Sequence, residues 1–152
     1  MPEAKLNYIC SYTVDLQAPE IIGPTPEGLR VIFYITGGEV SGPRLRGRVR
    51  PVGADWLILR PDGVGRVDVR TTLETHDGAL LYAAYTGLVD LGPDGYERFT
   101  TGNPPPTFPI RTAPCFQTAH PDYAWVNRLQ FLNIGEVDLG ISRVSYDVYA
   151  AP

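Results

Sequence analysis

Apolar and polar residues alternate along most of this chain, and no segment has the sustained 3.6-residue apolar spacing of an amphipathic helix. The first alternating segment carries its apolar side chains on one face: Leu6, Tyr8, Cys10, Tyr12, Val14 and Leu16. A period of two is that of a β-strand, whose successive side chains point to opposite faces of the sheet. The pattern therefore predicts an all-β protein.

Turn signals divide the chain into short segments. Asp62-Gly63, Asp77-Gly78 and Asp94-Gly95 each predict a β-hairpin, because Asp tolerates and Gly favours the positive φ angles of a type I′ turn. The stretch 17–28 contains three prolines and two glycines and is expected to be a loop. One helical turn is expected, at residues 121–127.

Nine or ten short strands at hairpin spacing predict an antiparallel barrel or sandwich. We favour a closed barrel, because glycine-rich strand ends suit tight corners and closure removes exposed sheet edges. The length of 152 residues fits one domain spanning residues 1–152. The proline-rich stretch Gly102–Pro106 is interpreted as a surface insertion in that domain, since the segments on both sides of it have the same strand character.

The formal net charge of −4 argues against a general nucleic-acid binder, which needs a basic surface. No apolar run approaches the roughly 18 residues of a membrane-spanning helix, and residues 1–5 lack the features of a secretory signal. We therefore expect a cytoplasmic protein without a membrane partner. Its two cysteines, Cys10 and Cys115, are expected to be reduced and buried.

Neither a metal nor another cofactor is expected. The two histidines, His76 and His120, have no Cys or His at metal-ligand spacing. Gly37-Gly38 lacks the Lys-Ser/Thr pair of a phosphate-binding loop, and the surroundings of Ser41 do not resemble those of an activated nucleophile.

Asp55-Trp56 is a candidate for acid/base chemistry, placed after Gly53 at a predicted strand start. A carboxylate beside an indole can lose contact with water, which raises its pKa toward neutrality and suits it to proton transfer. In the alternative interpretation, Asp55 caps a turn through backbone N–H groups while Trp56 fills the core.

Two other charged residues also have two interpretations each. Asp77 forms an acid/base pair with His76, or it belongs to the Asp-Gly turn while His76 is exposed. Arg70 anchors an anionic or carbonyl-containing substrate if its strand face lines the barrel, or it pairs with Asp68 on the surface.

Four arginines share one face of a predicted strand: Arg44, Arg46, Arg48 and Arg50. They form either an anion contact or a solvated face that pairs with acidic residues across strands.

Aromatic residues supply the remaining candidates. Tyr82 and Tyr85 lie on opposite faces of one predicted strand, so at most one of them faces a ligand, where its hydroxyl can stabilise a developing oxyanion. Trp125 and Asn127 form either a pocket wall with a polar handle or a plug that closes one end of the barrel.

Longer motifs resemble family 3237 of the domains of unknown function. They are Gly37-Gly38-x-Val40-x-Gly42-Pro43-x-Leu45-x-Gly47, Gly53-Ala54-Asp55-Trp56, Asp62-Gly63, Asp68-x-Arg70, Asp77-Gly78-Ala79, Pro114-x-Phe116 and Tyr123-x-Trp125-x-Asn127. The motifs span nearly the whole chain in the right order. The resemblance implies a lipocalin-like, closed antiparallel β-barrel and no established activity. The chain departs from the family pattern at Gln117 and His76, where we expect an acid, and in its longer loop Gly102–Pro109.

The first functional hypothesis is a cofactor-independent enzyme that binds an apolar, aromatic or carbonyl-containing metabolite in a barrel cavity. It would be an isomerase, cyclase or lyase that uses acid/base chemistry. Its expected catalytic residues are Asp55, Asp77, Arg70 and Tyr82, and its expected substrate-binding residues are Trp56, Tyr85, Trp125 and Asn127. The alternatives are a non-catalytic small-molecule carrier or sensor and a structural module; a homo-oligomer is compatible with each.

Overall fold

The computed structural model describes residues 2–152, most of which lie in one antiparallel sheet. Its strands are β1 (Asn7–Leu16), β2 (Glu20–Thr25), β3 (Gly28–Ser41), β4 (Gly47–Val49), β5 (Ala54–Leu59), β6 (Val64–Thr75), β7 (Leu80–Asp90), β8 (Thr107–Thr112), β9 (Cys115–Gln117), β10 (Gln130–Asp138) and β11 (Arg143–Ala151). A short α-helix, α1 (Gly95–Thr100), separates β7 from β8. A 3-10 helix (Pro121–Arg128), which we call the plug, separates β9 from β10.

Eight of these strands close into a barrel. Neighbours pair in the order β5–β3–β1–β11–β10–β8–β7–β6, and β6 pairs with β5 to complete the ring. The short strands lie beside it: β2 pairs with β3, β4 with β3 and β6, and β9 with β7. The predicted closed antiparallel barrel is confirmed.

The plug packs at the end of the barrel where β1 begins and β11 ends. Tyr123 and Val126 of the plug are buried in the core. Just inside them, the rings of Phe116 and Phe131 meet edge to face at 4.9 Å. We call this the closed end and the opposite end the mouth.

Two local predictions were wrong. The Asp94-Gly95 signal starts α1 instead of a hairpin, because Tyr96 and Phe99, three residues apart, pack together against the core as a helical face. Residues Glu20–Thr25 form β2 instead of a loop. Because β2 pairs only with β3, its proline at position 24 lies in an edge strand, where a missing N–H is tolerated.

The other turn signals and the helical turn are confirmed. Asp62-Gly63 and Asp77-Gly78 connect β5 to β6 and β6 to β7, and the helical turn is the plug. Both cysteines are free; Cys10 is buried, but Cys115 is exposed, so the expectation of burial is wrong for Cys115. None of the helices in residues 2–152 is long or apolar enough to cross a bilayer.

Candidate active site

The half of the barrel nearer the mouth contains an apolar cavity. Sixteen of the described residues line it, and thirteen of these are Val, Leu, Ile or Phe. The other three are Asp55, Tyr85 and Tyr146. The empty space between the lining atoms, counted with its opening, is about 560 Å³, and about 40 Å³ of it admits the centre of a water molecule. The cavity therefore has very few polar groups with which to orient a ligand.

The Asp55 side chain enters the cavity from β5, shortly after Gly53, where the backbone passes very close to that of Arg70. Gly53 has φ +86°, and a Cβ atom built there would lie 1.8 Å from the Arg70 carbonyl oxygen. Only glycine fits this position, because both the left-handed conformation and the contact exclude a side chain. Two residues later, Asp55 pairs with Val69, and both side chains line the cavity.

The Asp55 carboxylate lies where the pairing of β5 with β6 is interrupted. The register skips Trp56 and Leu57, opposite Val67 and Asp68. At this point Asp55 Oδ1 accepts a hydrogen bond from the Asp68 backbone N–H at 3.0 Å. We call this gap in the ladder the wall interruption.

Arg30 supplies a hydrogen-bond donor to a backbone carbonyl group at the wall interruption. Its Nη1 atom donates a hydrogen bond to the Trp56 carbonyl oxygen at 2.6 Å. Arg30 lies on the neighbouring strand β3, so its guanidinium crosses the outer surface of β5 to make this contact. A backbone carbonyl that lacks its ladder partner is costly unless another donor replaces it.

Burial raises the pKa of Asp55 from its ordinary value of 3.8 to about 7. The Asp68 N–H and the Arg30 charge act in the opposite direction, and the nearby Asp68 carboxylate adds to the increase. Desolvation dominates because the carboxylate of this half-buried residue faces an apolar cavity, where it loses most of its water. Near neutral pH, Asp55 is therefore present both as an acid and as a base.

Three tyrosines and an asparagine form a buried polar cluster beside Asp55. The Tyr12 and Tyr146 rings are 4.9 Å apart, and the Tyr85 and Tyr146 rings meet at 5.8 Å in an edge arrangement. Asn133, which has no exposed surface, donates a hydrogen bond from Nδ2 to the Tyr12 hydroxyl at 2.8 Å. Burial, together with the neighbouring hydroxyls, holds the pKa of each of these tyrosines well above its ordinary value.

These tyrosines are therefore neutral hydrogen-bond donors at neutral pH. The Asp55 charge adds to the raised pKa of Tyr85 and of Tyr146, which shows that the carboxylate and the two hydroxyls act on one another electrostatically. A proton acceptor and two neutral donors thus share one end of the cavity.

Arg70 and Trp56 lie outside the barrel, so the structure does not bring them together with Asp55 at the inner cavity. The Arg70 side chain is 57% exposed, pairs with Asp68 at 3.4 Å and lies 5.5 Å from the centre of the Trp56 ring. Trp56 is half-buried and lines a groove on the outer wall. The alternation along β5 and β6 explains this, because Asp55 and Val69 take the inward positions beside them.

Tyr85 faces the cavity and Tyr82 does not. Tyr82 is exposed on the outer surface of β7, beside Thr72 and Gln117. This agrees with the expectation that at most one of the pair faces a ligand. Tyr85 therefore takes the donor position that the sequence assigned to Tyr82.

Asp77 and Asn127 lie at the closed end and hold it together. The Asp77 carboxylate accepts hydrogen bonds from Thr75 Oγ1 at 2.5 Å and from the Tyr123 hydroxyl at 2.8 Å, and these bonds lower its pKa. Asn127 bonds to both the N–H and the C=O of Thr118, each at 2.9 Å. The structure therefore does not bring Asp77 and Asn127 together with Asp55.

Trp125 also belongs to the closed end. Its ring lies 6.5 Å from Phe131 and is covered by the Arg44 guanidinium at 3.8 Å. The plug interpretation of this segment is therefore the one that the structure supports.

The arginine-rich segment 44–50 follows the solvated-face interpretation. Arg48 and Arg50 pair with Glu74 at 2.8 Å and 3.5 Å, while Leu45 and Val49 point into the core. Only Gly47–Val49 of this segment is a strand.

Sequence reasoning missed Tyr12, Tyr146, Asn133 and Arg30. The alternation along β1 placed Tyr12 on an apolar face, and Tyr146 lies between Val144 and Val148 in the same period of two along β11, a signal that was not used. A tyrosine within such an apolar face is a signal for a buried hydroxyl that needs a partner. No sequence signal identified Arg30, because its role depends on the pairing of β3 with β5.

The molecule is thus a small β-barrel with an enclosed apolar cavity that holds one carboxyl group and two tyrosine hydroxyls. The chain belongs to the family described as "Protein of unknown function (DUF3237)", whose model matches residues 4–151. The family resemblance found in the sequence is confirmed.

Relatives share both the sequence and the fold. The UPF0311 protein RPA1785 of Rhodopseudomonas palustris is 33% identical over 151 residues, which cover 97% of each chain. A β-barrel-like protein from Acinetobacter baumannii AYE is 32% identical with a TM-score of 0.85, over 100% of this chain and 98% of the other. A Penicillium herquei protein described as an enzyme is 19% identical with a TM-score of 0.73, again over 100% and 98% of the two chains, which shows a common fold.

Proposed function

We propose that this protein is a cofactor-independent enzyme that moves a proton on a small apolar or aromatic metabolite carrying a carbonyl or hydroxyl group. The observation that carries the proposal is the Asp55 carboxyl in an otherwise apolar cavity, with its pKa raised to about 7 by burial. A catalytic acid/base group works best when its pKa lies near the working pH. A carboxyl group with only a structural role gains nothing from this environment.

The neighbouring tyrosines support the proposal. A substrate oxygen at this end of the cavity would meet the neutral hydroxyls of Tyr85 and Tyr146, both of which line the cavity. Neutral donors aimed at an oxygen that gains charge stabilise the transition state more in a dry cavity than in water.

The proton transfer is balanced within one substrate molecule. Ionised Asp55 takes a proton from the carbon next to the carbonyl group, and the electrons of the C–H bond form an enolate, which the tyrosine hydroxyls stabilise. In isomerisation, protonated Asp55 returns the proton to a different carbon of the conjugated enolate. In elimination, the enolate electrons expel a leaving group from the β carbon, and Asp55 gives its proton to that group. In cyclisation, the enolate carbon attacks a second carbonyl group of the same molecule, and the oxygen of that group takes the proton. No oxidant or reductant is needed.

A deuterium-exchange experiment tests this proposal. The wild-type protein is incubated in D₂O with 2-alkanones and aryl methyl ketones, and mass spectrometry follows deuterium uptake beside the carbonyl group. We expect uptake faster than in buffer, increasing with pH through about 7 as Asp55 ionises, and lost in Asp55→Asn. Asp77→Asn, which changes a carboxylate at the closed end, should retain the activity.

Equal exchange by wild-type protein and Asp55→Asn would remove Asp55 from the mechanism. Binding without any exchange would favour the second candidate, a non-catalytic carrier or sensor. The specific observation in its favour is the lining, of which thirteen of sixteen described residues are aliphatic or Phe. The Penicillium herquei protein supports the enzyme proposal only in that a barrel of this fold is described there as an enzyme.

A further inference from the structure

A second apolar cavity lies outside the first one at the mouth of the barrel. We call it the vestibule. It lies between the β1–β2 connection on one side and α1 with the proline-rich loop on the other. Its apolar lining includes Leu16, Pro19, Ile21, Phe33, Phe99 and Pro104, and Leu139 and Ser142 line it from the β10–β11 connection. Three of these residues, Leu16, Phe33 and Phe99, also line the inner cavity. The two spaces therefore share a wall.

The vestibule is larger than the inner cavity. About 250 Å³ of the vestibule admits the centre of a water molecule, compared with about 40 Å³ of the inner cavity. A single water needs roughly 10–15 Å³ by this measure. The inner cavity as it stands thus has room for a small group beside Asp55, while the larger apolar space is outside the shared wall.

Ionisable groups line only the inner cavity, and one polar side chain, that of Ser142, lines the vestibule. Asp55, Tyr85 and Tyr146 lie at the deep side of the inner cavity, and the other vestibule residues named above are all apolar. A ligand that uses both spaces would place one oxygen-bearing end inside and a longer apolar part outside.

From this arrangement we infer that the substrate is an elongated molecule with one carbonyl or hydroxyl head, whose apolar tail passes Phe99 and lies in the vestibule. Phe99 then separates the two spaces, and Ile21 contacts the tail and selects for chain length. This inference rests on the proposed function, because it takes the inner cavity as the reacting end.

Ile21 and Ile22 form a matched pair for testing it. They are neighbours on the edge strand β2, and their exposed fractions are 59% and 60%. Ile21 lines the vestibule and Ile22 does not. A charged residue at either position is tolerated by the fold because both side chains are exposed, but only Ile21→Asp places a carboxylate in the vestibule.

The experiment measures the affinity of 2-alkanones from 2-pentanone to 2-undecanone by NMR titration. We expect the affinity to increase about three- to fourfold per methylene along the series, since each added methylene is buried in the vestibule. Ile21→Asp should weaken the binding of 2-undecanone by about tenfold and leave the affinity for 2-pentanone unchanged. Ile22→Asp should leave both unchanged.

Three outcomes would overturn the inference: an affinity that stops increasing after the shortest ketones, equal effects of Ile21→Asp and Ile22→Asp, or no binding by any member. The series is repeated in Asp55→Asn, where the dependence on chain length should persist. Chain-length selection without deuterium exchange would then refute the enzyme proposal alone, and exchange without chain-length selection would refute this inference alone.

Discussion

Asp55 is the residue on which the account depends, and its environment works against the stability of the fold. Its carboxyl group lies among apolar side chains, so the folded protein holds the proton more tightly than the unfolded chain does. A folded-state pKa of about 7 against an ordinary value of 3.8 makes ionisation in the folded state unfavourable. Such a group is expected at a functional site, where stability is given up for reactivity.

Asp55→Asn should stabilise the protein at alkaline pH. In the wild type, the free energy of unfolding should fall as pH rises from about 4 to about 7 and remain low above that, because the unfolded chain releases the Asp55 proton first. The difference between a pKa of 3.8 and one of about 7 corresponds to about 4 kcal/mol. Asparagine cannot ionise, so urea unfolding should show a variant more stable by up to this amount at pH 8.

At pH 4 the two proteins should differ in stability far less than at pH 8, since Asp55 is protonated in the folded state and still partly protonated in the unfolded chain. Asp62→Asn, which changes an exposed carboxylate paired with Arg60, serves as the control. Parallel stability curves for wild type and Asp55→Asn between pH 4 and pH 8 would contradict the assigned environment.

At the scale of elements, the sequence predicted where most strands lie but did not show which strands pair with one another. Alternation and the Asp-Gly signals located most strands, and the glycine at position 53 pointed to Asp55. The inward face could not be decided at Arg70 or Tyr82, because a shift of one residue in register reverses every side chain. The wall interruption could not be predicted from the sequence either, because it forms only when the strands β3, β5 and β6 are adjacent.

The wall interruption leads to a prediction for Arg30. The groups that face the Asp55 carboxylate are Arg30 from β3, Asp68 from β6, Tyr85 from β7 and Tyr146 from β11. Of these, Arg30 is the group whose positive charge lowers the Asp55 pKa. Arg30→Gln can still donate a hydrogen bond to the Trp56 carbonyl but removes the charge, so the titration midpoint of Asp55 should move upward.

The matched control is Arg66→Gln, since Arg66 lines the same outer groove and is not among the groups that shift the Asp55 pKa. Carboxyl-carbon NMR at Asp55 measures the midpoint in each variant. An upward shift in Arg30→Gln alone supports the electrostatic role of Arg30, whereas identical midpoints in wild type and both variants would show that Arg30 supports only the backbone.

At the scale of the whole molecule, the barrel has two different ends. The closed end is filled by the plug and tied by the hydrogen bonds of Asp77 and Asn127. The mouth is bordered by short elements, α1 and β2, with exposed apolar side chains. The plug therefore fills one end of the barrel, and the apolar cavity lies toward the other, where the proposed function requires a ligand to enter.

The most direct test of the account is the titration of Asp55 itself in the intact wild-type protein. The chemical shift of its carboxyl carbon is followed by NMR from pH 3 to pH 9 and assigned with Asp55→Asn. We predict a midpoint near 7, set by burial in the apolar cavity. A midpoint near 4 would show a solvated carboxylate and would contradict both the poised proton-transfer group and the function proposed from it.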